Sequence, residues 1–140
     1  MSNGKLQVNV RRVAGKKLEV SARGNRLIVD QVYADGADSP GFRPTELLLG
    51  ALGACTMGTV LTFCENMKIP IDAFAIDVEG KRETAPERIS EIQVSIRIDG
   101  DIPPERVETL KRVAHGCRVH YTITHQPKIG LDLKAGKKTA

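Results

Sequence analysis

Hydrophobic and polar residues alternate mostly with a period of two on either side of one long uncharged run. The first third holds three such runs, "LQVNVRRV", "KLEVSARG" and "NRLIVDQVY", and Gly24-Asn25 between the last two is a turn signal. Period-two runs separated by turn signals are typical of antiparallel strands joined by hairpins. We therefore predict three N-terminal strands in antiparallel succession, followed by a loop over residues 34–43, which are rich in Gly, Pro and Asp.

The second half of the chain repeats this pattern and adds one helix. "IDAFAIDVEG" and "ISEIQVSIRIDG" alternate around the turn "ETAPE", which predicts a hairpin with one solvated face. "PPERVETLKRVAHG" begins with proline, has Gly116 just past its end and forms one apolar stripe, which is typical of an amphipathic helix. A short turn or helix through Cys117 then leads to a predicted last strand, "KIGLDLK".

Between these halves lies a run with a different pattern. Residues 47–64, inside "TELLLGALGACTMGTVLTFCENM", include eighteen positions without a charge, and the helix that they predict begins near Pro44 and ends before Pro70. Its length reaches the lower limit for a membrane span, but glycines and threonines dilute it and no second span follows. We expect a buried core helix, because a helix that is apolar all round needs cover on every side. A partner subunit is the natural cover.

The predicted order is βββ-α-ββ-α-β, a single α+β domain over residues 1–140. The composition, 41% hydrophobic and 27% charged, is ordinary for a soluble protein. Much of the net charge of +4 lies near the ends, in "RRVAGKK" and "KAGKK", and the chain has few aromatic residues and no Trp. We therefore expect neither a nucleic-acid partner nor a membrane partner.

Three cysteines and a polar start without a signal peptide indicate a reducing, cytoplasmic setting. Cys55 and Cys64 are nine residues apart on one helix, which places them on opposite faces and about 13 Å apart. A straight helix cannot join them in a disulfide, so Cys117 is the intramolecular partner available to either. Free cysteines often serve only as small buried hydrophobic residues, and this interpretation suits Cys64. The small residues of "GALGACTMG", in contrast, leave space beside the sulfur of Cys55.

A metal site is a competing hypothesis. His115, Cys117, His120 and His125 lie within eleven residues, but they lack the short paired spacings that zinc sites use and they cross a change in secondary structure. We expect no metal and no cofactor.

"RPTELLLGALGACT", followed some sixty residues later by "AHGCRVH", resembles the OsmC/Ohr family of thiol-dependent hydroperoxide reductases. The "PTELLLGALGACT" form is similar to a less characterised branch of that family. The resemblance spans nearly the whole chain and implies an intertwined homodimer, with long central helices between two antiparallel sheets and active sites at the subunit interface.

The resemblance also implies a chemistry. Cys55 would be the peroxidatic cysteine that attacks an organic hydroperoxide, and Cys117 would resolve the sulfenic acid to a disulfide that an external dithiol reduces. The nucleophile is the thiolate, which requires a low pKa. Because Cys55 lies about three turns into its helix, beyond the reach of the N-terminal dipole, we expect a cation beside it.

The sequence differs from the better-studied family members at the positions of the cation and of a glutamate near the start of the helix. Better-studied members place a glutamate directly after the proline, where this chain has Thr45, and "CPVS" at the second cysteine is "CRVH" here. Glu46 falls about 180° from Cys55 on a straight helix, and Arg43 is the nearest arginine in sequence. The expected site residues are Cys55, Cys117, Arg43 and Glu46, with Arg23 and Arg26 as other arginines that could reach across a dimer. The alternative function is a non-peroxidase dimer of the same fold that senses redox state or binds a small ligand.

Overall fold

The computed structural model describes residues 4–31 and 40–136. In these ranges the strands are β1 (Asn9–Ala14), β2 (Lys17–Ala22), β3 (Asn25–Asp30), β4 (Ala73–Glu83) and β5 (Arg88–Asp99), and the helices are α1 (Pro44–Asn66), α2 (Val107–Ala114) and α3 (Arg118–Thr124). A 3-10 turn, Pro104–Arg106, runs directly into α2. The first part of the predicted loop, residues 34–39, lies outside the described residues.

The N-terminal strands form one antiparallel sheet in the order β1-β2-β3, as the period-two pattern predicts. Val20 pairs with Val10 on one side and with Leu27 on the other, so apolar residues form a row across the sheet. Arg23 and Gly24 join β2 to β3 with φ values of 52° and 84°. Two such residues match the twist of a hairpin, and the turn lies one residue earlier than the predicted Gly24-Asn25.

Strands β4 and β5 form the predicted second hairpin, and α1 packs against it. Phe74 pairs with Ile98, Ile76 with Ile96 and Val78 with Val94, which gives the hairpin an apolar row. Gly53 lies where the helix meets this row, since a Cβ at Gly53 would be 3.0 Å from Val78 Cγ2. A glycine at this position therefore allows the close approach of helix and hairpin.

The ends of α1 follow ordinary capping chemistry. Pro44 is at the first helical position, where its missing N–H costs nothing, and Glu46 Oε1 accepts a hydrogen bond of 2.7 Å from the Arg43 backbone N–H. At the other end, the Met67 N–H donates to the Phe63 carbonyl at 2.9 Å. The predicted limits of the helix, near Pro44 and before Pro70, are confirmed.

Helix α1 is long and apolar enough to cross a membrane by length and composition, but it serves here as the core helix of the fold. The elements packed against it are β4, β5, α2 and α3. Val60 and Cys64 of α1 are 1% exposed and form the core cluster with Leu110 of α2. The packed side of α1 is therefore part of the core of this chain.

One face of α1 is not covered by its own chain. Leu48, Ala51, Ala54, Gly58 and Leu61 are exposed along it. We call this stripe the open face of α1. Gly50 and Gly58 have open space where a Cβ would stand, unlike Gly53. A single chain therefore covers α1 only partly, as the length of the apolar run predicts.

The predicted last strand is wrong for this chain taken alone. Residues 126–136 have no regular secondary structure, and Ile129, Leu131 and Leu133 are 88%, 84% and 79% exposed. A period-two pattern identifies a segment that can form a strand, but a strand also needs a neighbour to satisfy its backbone groups. The described strands of this chain do not pair with the segment. The mixed α+β class, with a three-stranded and a two-stranded antiparallel sheet, is confirmed.

We expect Gly53→Leu to lower the free energy of unfolding by about 1–3 kcal/mol, because the new side chain must displace Val78 from a packed contact. Chemical denaturation at a fixed protein concentration measures the change. Gly53→Ala is the matched control and should cost less, since one methyl group requires only a small shift. A Leu variant as stable as the unaltered protein would show that α1 does not approach the hairpin this closely.

Candidate functional site

The site is built where α2 ends and α3 begins. The Gly116 N–H donates to the Val113 carbonyl at 2.9 Å and closes α2, after which the chain turns into α3. Cys117 is the N-cap residue of α3, and its Sγ accepts a hydrogen bond of 3.2 Å from the His120 backbone N–H. Sulfur thus takes the place that a hydroxyl or carboxylate oxygen takes at most helix starts. Cys117 is 1% exposed.

Cys55 reaches the same place from α1. It is half-buried and opens on a cleft of about 930 Å³. The other residues that line this cleft combine polar groups with apolar surface: Thr59, Gly116, Arg118, Tyr121, Thr122, His125 and Pro127. We call it the Cys55 cleft. A molecule in solution therefore has access to Cys55.

The structure brings Cys55 and Cys117 together. The Cys117 side chain lies beside the Cys55 thiol and lowers its pKa, and the Thr56 hydroxyl donates to Cys117 Sγ at 3.6 Å. Cys64 is buried in the core with Val60 and Leu110. Geometry thus selects Cys117 as the neighbour of Cys55, while the chemical roles assigned to the two residues stay predictions.

Several groups act on the Cys55 thiol. Burial is the largest single influence and raises the pKa. The backbone N–H of Val119, the Cys117 thiol, the backbone N–H of Arg118 and the Arg118 charge all lower the pKa, and together they bring it below the ordinary value of 9.0. For Cys64 burial acts alone and raises the pKa of the thiol. Cys55 is the cysteine prepared to ionise.

Arg43 and Glu46 lie together at the start of α1, where the Glu46 carboxylate caps the helix. About 18 Å of helix rise separates Arg43 from Cys55. Neither residue lines the Cys55 cleft in this chain, and Arg23 and Arg26 line a different cleft on the N-terminal sheet. A catalytic part for Arg43 or Glu46 would therefore need a second chain, and it stays a prediction.

Within this chain the positive charge that acts on Cys55 is that of Arg118. Sequence reasoning missed Arg118, and it missed the N–H groups of Arg118 and Val119 because they belong to a helix more than sixty residues further along the chain. The available signal was the order of residues in the sequence: Gly116 ends a helix, Cys117 follows it, and the arginine comes directly after Cys117. Thr56 gave no signal, since nothing local shows which group its hydroxyl meets.

The histidines lie beside the cysteines without forming a ligand set. The rings of His115 and His120 make an edge-to-face contact with centroids 5.4 Å apart, and His125 contacts Tyr121. Within residues 4–31 and 40–136, no three His, Cys, Asp or Glu residues are grouped so that they could hold a metal ion.

Comparison with known proteins gives a consistent picture. The family model described as OsmC-like protein matches residues 36–132. An OsmC like protein from Mycoplasma pneumoniae has a TM-score of 0.77 at 20% identity, with 89% of this chain and 90% of that chain covered. No curated protein matches the chain.

Two further structures are organic hydroperoxide resistance proteins. OsmC from Legionella pneumophila has a TM-score of 0.63 at 18% identity, with 88% of this chain and 91% of that chain covered. OhrB of Bacillus subtilis has a TM-score of 0.56 at 18% identity, with 87% and 90% covered. At these identities the likeness shows the fold, and it confirms the OsmC-like fold predicted from the sequence.

The lowered pKa of Cys55 has a measurable consequence. Because thiolate is the reactive form, we expect Cys55 to react with iodoacetamide at a lower pH than an ordinary thiol, and Cys64 to react only after unfolding. Arg118→Gln should move the midpoint for Cys55 to higher pH, because the positive charge is lost. Peptide mass spectrometry of the alkylation rate against pH measures the Cys55 midpoint in the unaltered protein and in the Arg118→Gln variant.

Arg112→Gln, which removes an exposed positive charge from α2, is the control and should leave the midpoint unchanged. A midpoint for Cys55 at or above 9.0 in the unaltered protein would contradict the electrostatic description of the site.

Proposed function

Since the chain belongs to the OsmC-like protein family, we propose that it is a thiol-dependent peroxidase that reduces organic hydroperoxides. One observation carries the proposal: Cys55, a thiol of lowered pKa that opens on a cleft, lies beside a second, buried thiol, Cys117. Cysteines that serve only as small hydrophobes need neither an activated thiolate nor a paired thiol.

In the first step the Cys55 thiolate attacks the outer oxygen of the hydroperoxide. The S–O bond forms as the O–O bond breaks, and the alkoxide takes a proton from water in the open cleft and leaves as an alcohol. Sulfur loses two electrons, the peroxide gains them, and Cys55 becomes a sulfenic acid. The N–H groups of Arg118 and Val119 hold the thiolate in place before the attack.

In the second step Cys117 resolves the sulfenic acid. Its sulfur attacks the Cys55 sulfur, the S–S bond forms, and the hydroxyl group leaves with the Cys117 proton as water. The placement of the Cys117 side chain beside Cys55 supports this step, because neither sulfur has far to move. An external dithiol then reduces the disulfide and restores both thiols.

The cleft supports an organic rather than an inorganic peroxide. It is far larger than hydrogen peroxide requires, and Tyr121 and Pro127 give it apolar surface for an alkyl group. The naming of the Legionella pneumophila and Bacillus subtilis structures as organic hydroperoxide resistance proteins supports the same substrate class. Reduction by a dithiol requires a reducing compartment, in line with the cytoplasmic location expected from the sequence.

Three uncovered surfaces support a homodimer as the working form. The open face of α1 is one, β1 with exposed Val10 and Val13 is another, and the unpaired segment 126–136 is the third. Soluble monomers rarely expose apolar patches of this extent. In a two-fold dimer both subunits contribute the same apolar surfaces to the interface, so each copy covers the exposed surfaces of the other.

The peroxidase proposal predicts a specific pattern among cysteine variants. The unaltered protein should consume tert-butyl hydroperoxide in the presence of a dithiol, and Cys55→Ser should abolish consumption, because a hydroxyl is not ionised at neutral pH. Cys117→Ser should form the sulfenic acid and lose sustained turnover with the dithiol. Loss of peroxide absorbance or iodometric titration gives the rates.

Cys64→Ala is the control and should retain turnover, since Cys64 lies in the core away from the cleft. Equal turnover in Cys55→Ser would exclude the proposed mechanism. A Cys55 of low pKa that is oxidised without steady consumption of peroxide would favour the redox-sensing alternative.

The homodimer proposal predicts that Leu61→Asp converts the protein to a monomer. Leu61 is 40% exposed on the open face, so the chain itself tolerates a charge there, whereas a paired interface does not. Sedimentation should give twice the 15.3 kDa mass for the unaltered protein and the single mass for the variant. Thr84→Asp, in the β4–β5 turn, adds the same charge and should stay dimeric; a folded monomer of the unaltered protein at micromolar concentration would contradict the proposal.

A further inference from the structure

One threonine of α1 has an unusual hydrogen-bond partner. The Thr59 and Thr62 hydroxyls donate to carbonyls four residues earlier, at 2.9 Å each, which is the common arrangement within a helix. The Thr56 hydroxyl instead donates to Cys117 Sγ, 61 residues further along the chain. Thr56 is 4% exposed, so its hydroxyl has no access to bulk solvent in exchange.

The Cys117 sulfur therefore accepts two hydrogen bonds, one from the Thr56 hydroxyl and one from the His120 backbone N–H. A neutral thiol is a weak acceptor, while hydrogen bonds to an ionised group are about twice as strong as neutral ones. The two donors consequently stabilise the Cys117 sulfur most strongly when it carries a negative charge. In a thiol cycle that moment comes when Cys117 leaves a disulfide.

Access to the two sulfurs is unequal. Cys117 is 1% exposed, while Cys55 is half-buried and lines an open cleft. Thiol–disulfide exchange depends on which sulfur the incoming thiolate can reach and on how well the departing sulfur holds its charge. Access selects attack at Cys55, because an incoming thiolate cannot reach the enclosed Cys117 sulfur. The groups around Cys55 also favour its thiolate, so departure of Cys117 relies on the two hydrogen bonds that its sulfur accepts.

We propose that the external dithiol opens the Cys55–Cys117 disulfide at Cys55 only, and that the Thr56 hydroxyl and the His120 N–H stabilise Cys117 as the leaving thiolate. This inference rests on the proposed function, because the disulfide is the intermediate of that reaction. It makes Thr56 a catalytic residue of the reductive half of the cycle, through its contact with Cys117 Sγ.

The electrons and atoms balance in two exchanges. A thiolate of the dithiol forms a bond to the Cys55 sulfur, the Cys55–Cys117 bond breaks, and its electron pair leaves on Cys117, which then takes a proton from solvent. The second thiol of the dithiol, once deprotonated, then attacks the first sulfur of the dithiol, which is bonded to Cys55 in the mixed disulfide. The dithiol leaves oxidised, and Cys55 leaves as the thiolate that attacks the next peroxide.

Trapping the first exchange tests the direction. The protein is oxidised with diamide, so that the disulfide does not depend on peroxide turnover, and it is then mixed briefly with 2-mercaptoethanol and quenched in acid. Free thiols are labelled with N-ethylmaleimide, and the peptides are analysed by mass spectrometry. We expect mercaptoethanol on Cys55 and maleimide on Cys117; the reverse pattern overturns the proposal.

Reduction rates of the same disulfide test Thr56. Thr56→Val keeps the shape but loses the hydroxyl, and it should slow reduction by dithiothreitol about tenfold. Thr56→Ser restores the donor and should stay within about twofold of the unaltered protein, which a merely space-filling part for Thr56 does not explain. Thr62→Val is the matched control, because its hydroxyl serves only the Gly58 carbonyl, and its rate should not change.

Failure of this inference is distinguishable from failure of the proposed function. If diamide produces no Cys55–Cys117 disulfide, both fall. If the disulfide forms and opens at Cys55 but the protein consumes no peroxide, the peroxidase proposal falls and the direction of opening stands. Equal reduction rates in Thr56→Val and Thr56→Ser would remove Thr56 from the reaction.

Discussion

The absence of charge along α1 is the constraint on which the rest of the structure depends. Eighteen uncharged residues need cover from water, and β4, β5, α2 and α3 cover one side of their helix. The same packing brings α3 against α1, and it thereby places Cys117 beside Cys55. The reactive centre is thus a product of how the core is covered, and the open face of α1 marks the part of this cover that the proposed dimer completes.

Within that frame the two cysteines are placed in opposite environments that suit consecutive steps. Cys55 has access to the cleft and is surrounded by groups that favour its thiolate, while Cys117 is closed off from solvent and is held by Thr56 and His120. In the proposed cycle the accessible sulfur meets the peroxide and the reductant, and the enclosed sulfur forms the disulfide with it. Burial of Cys117 also protects it from direct oxidation, because oxidants act on accessible thiolates.

The sequence predicted the elements whose partners are close along the chain. The hairpins follow from alternation and turn residues, and α1 follows from the run between Pro44 and Pro70. The last strand failed because its pattern needs a partner that this chain does not supply. At the site, helix spacing showed that Cys64 could not reach Cys55, whereas the contacts of Arg118 and Thr56 depend on how α3 packs on α1, which no local pattern reveals.

The most direct test of the central claim is the product that one equivalent of tert-butyl hydroperoxide forms on the reduced protein. After the reaction, free thiols are alkylated under denaturing conditions and the peptides are mapped by mass spectrometry. The account predicts a disulfide between Cys55 and Cys117, with Cys64 alkylated. Cys55 oxidised to a sulfinic acid while Cys117 is alkylated, or all three cysteines alkylated, would contradict it.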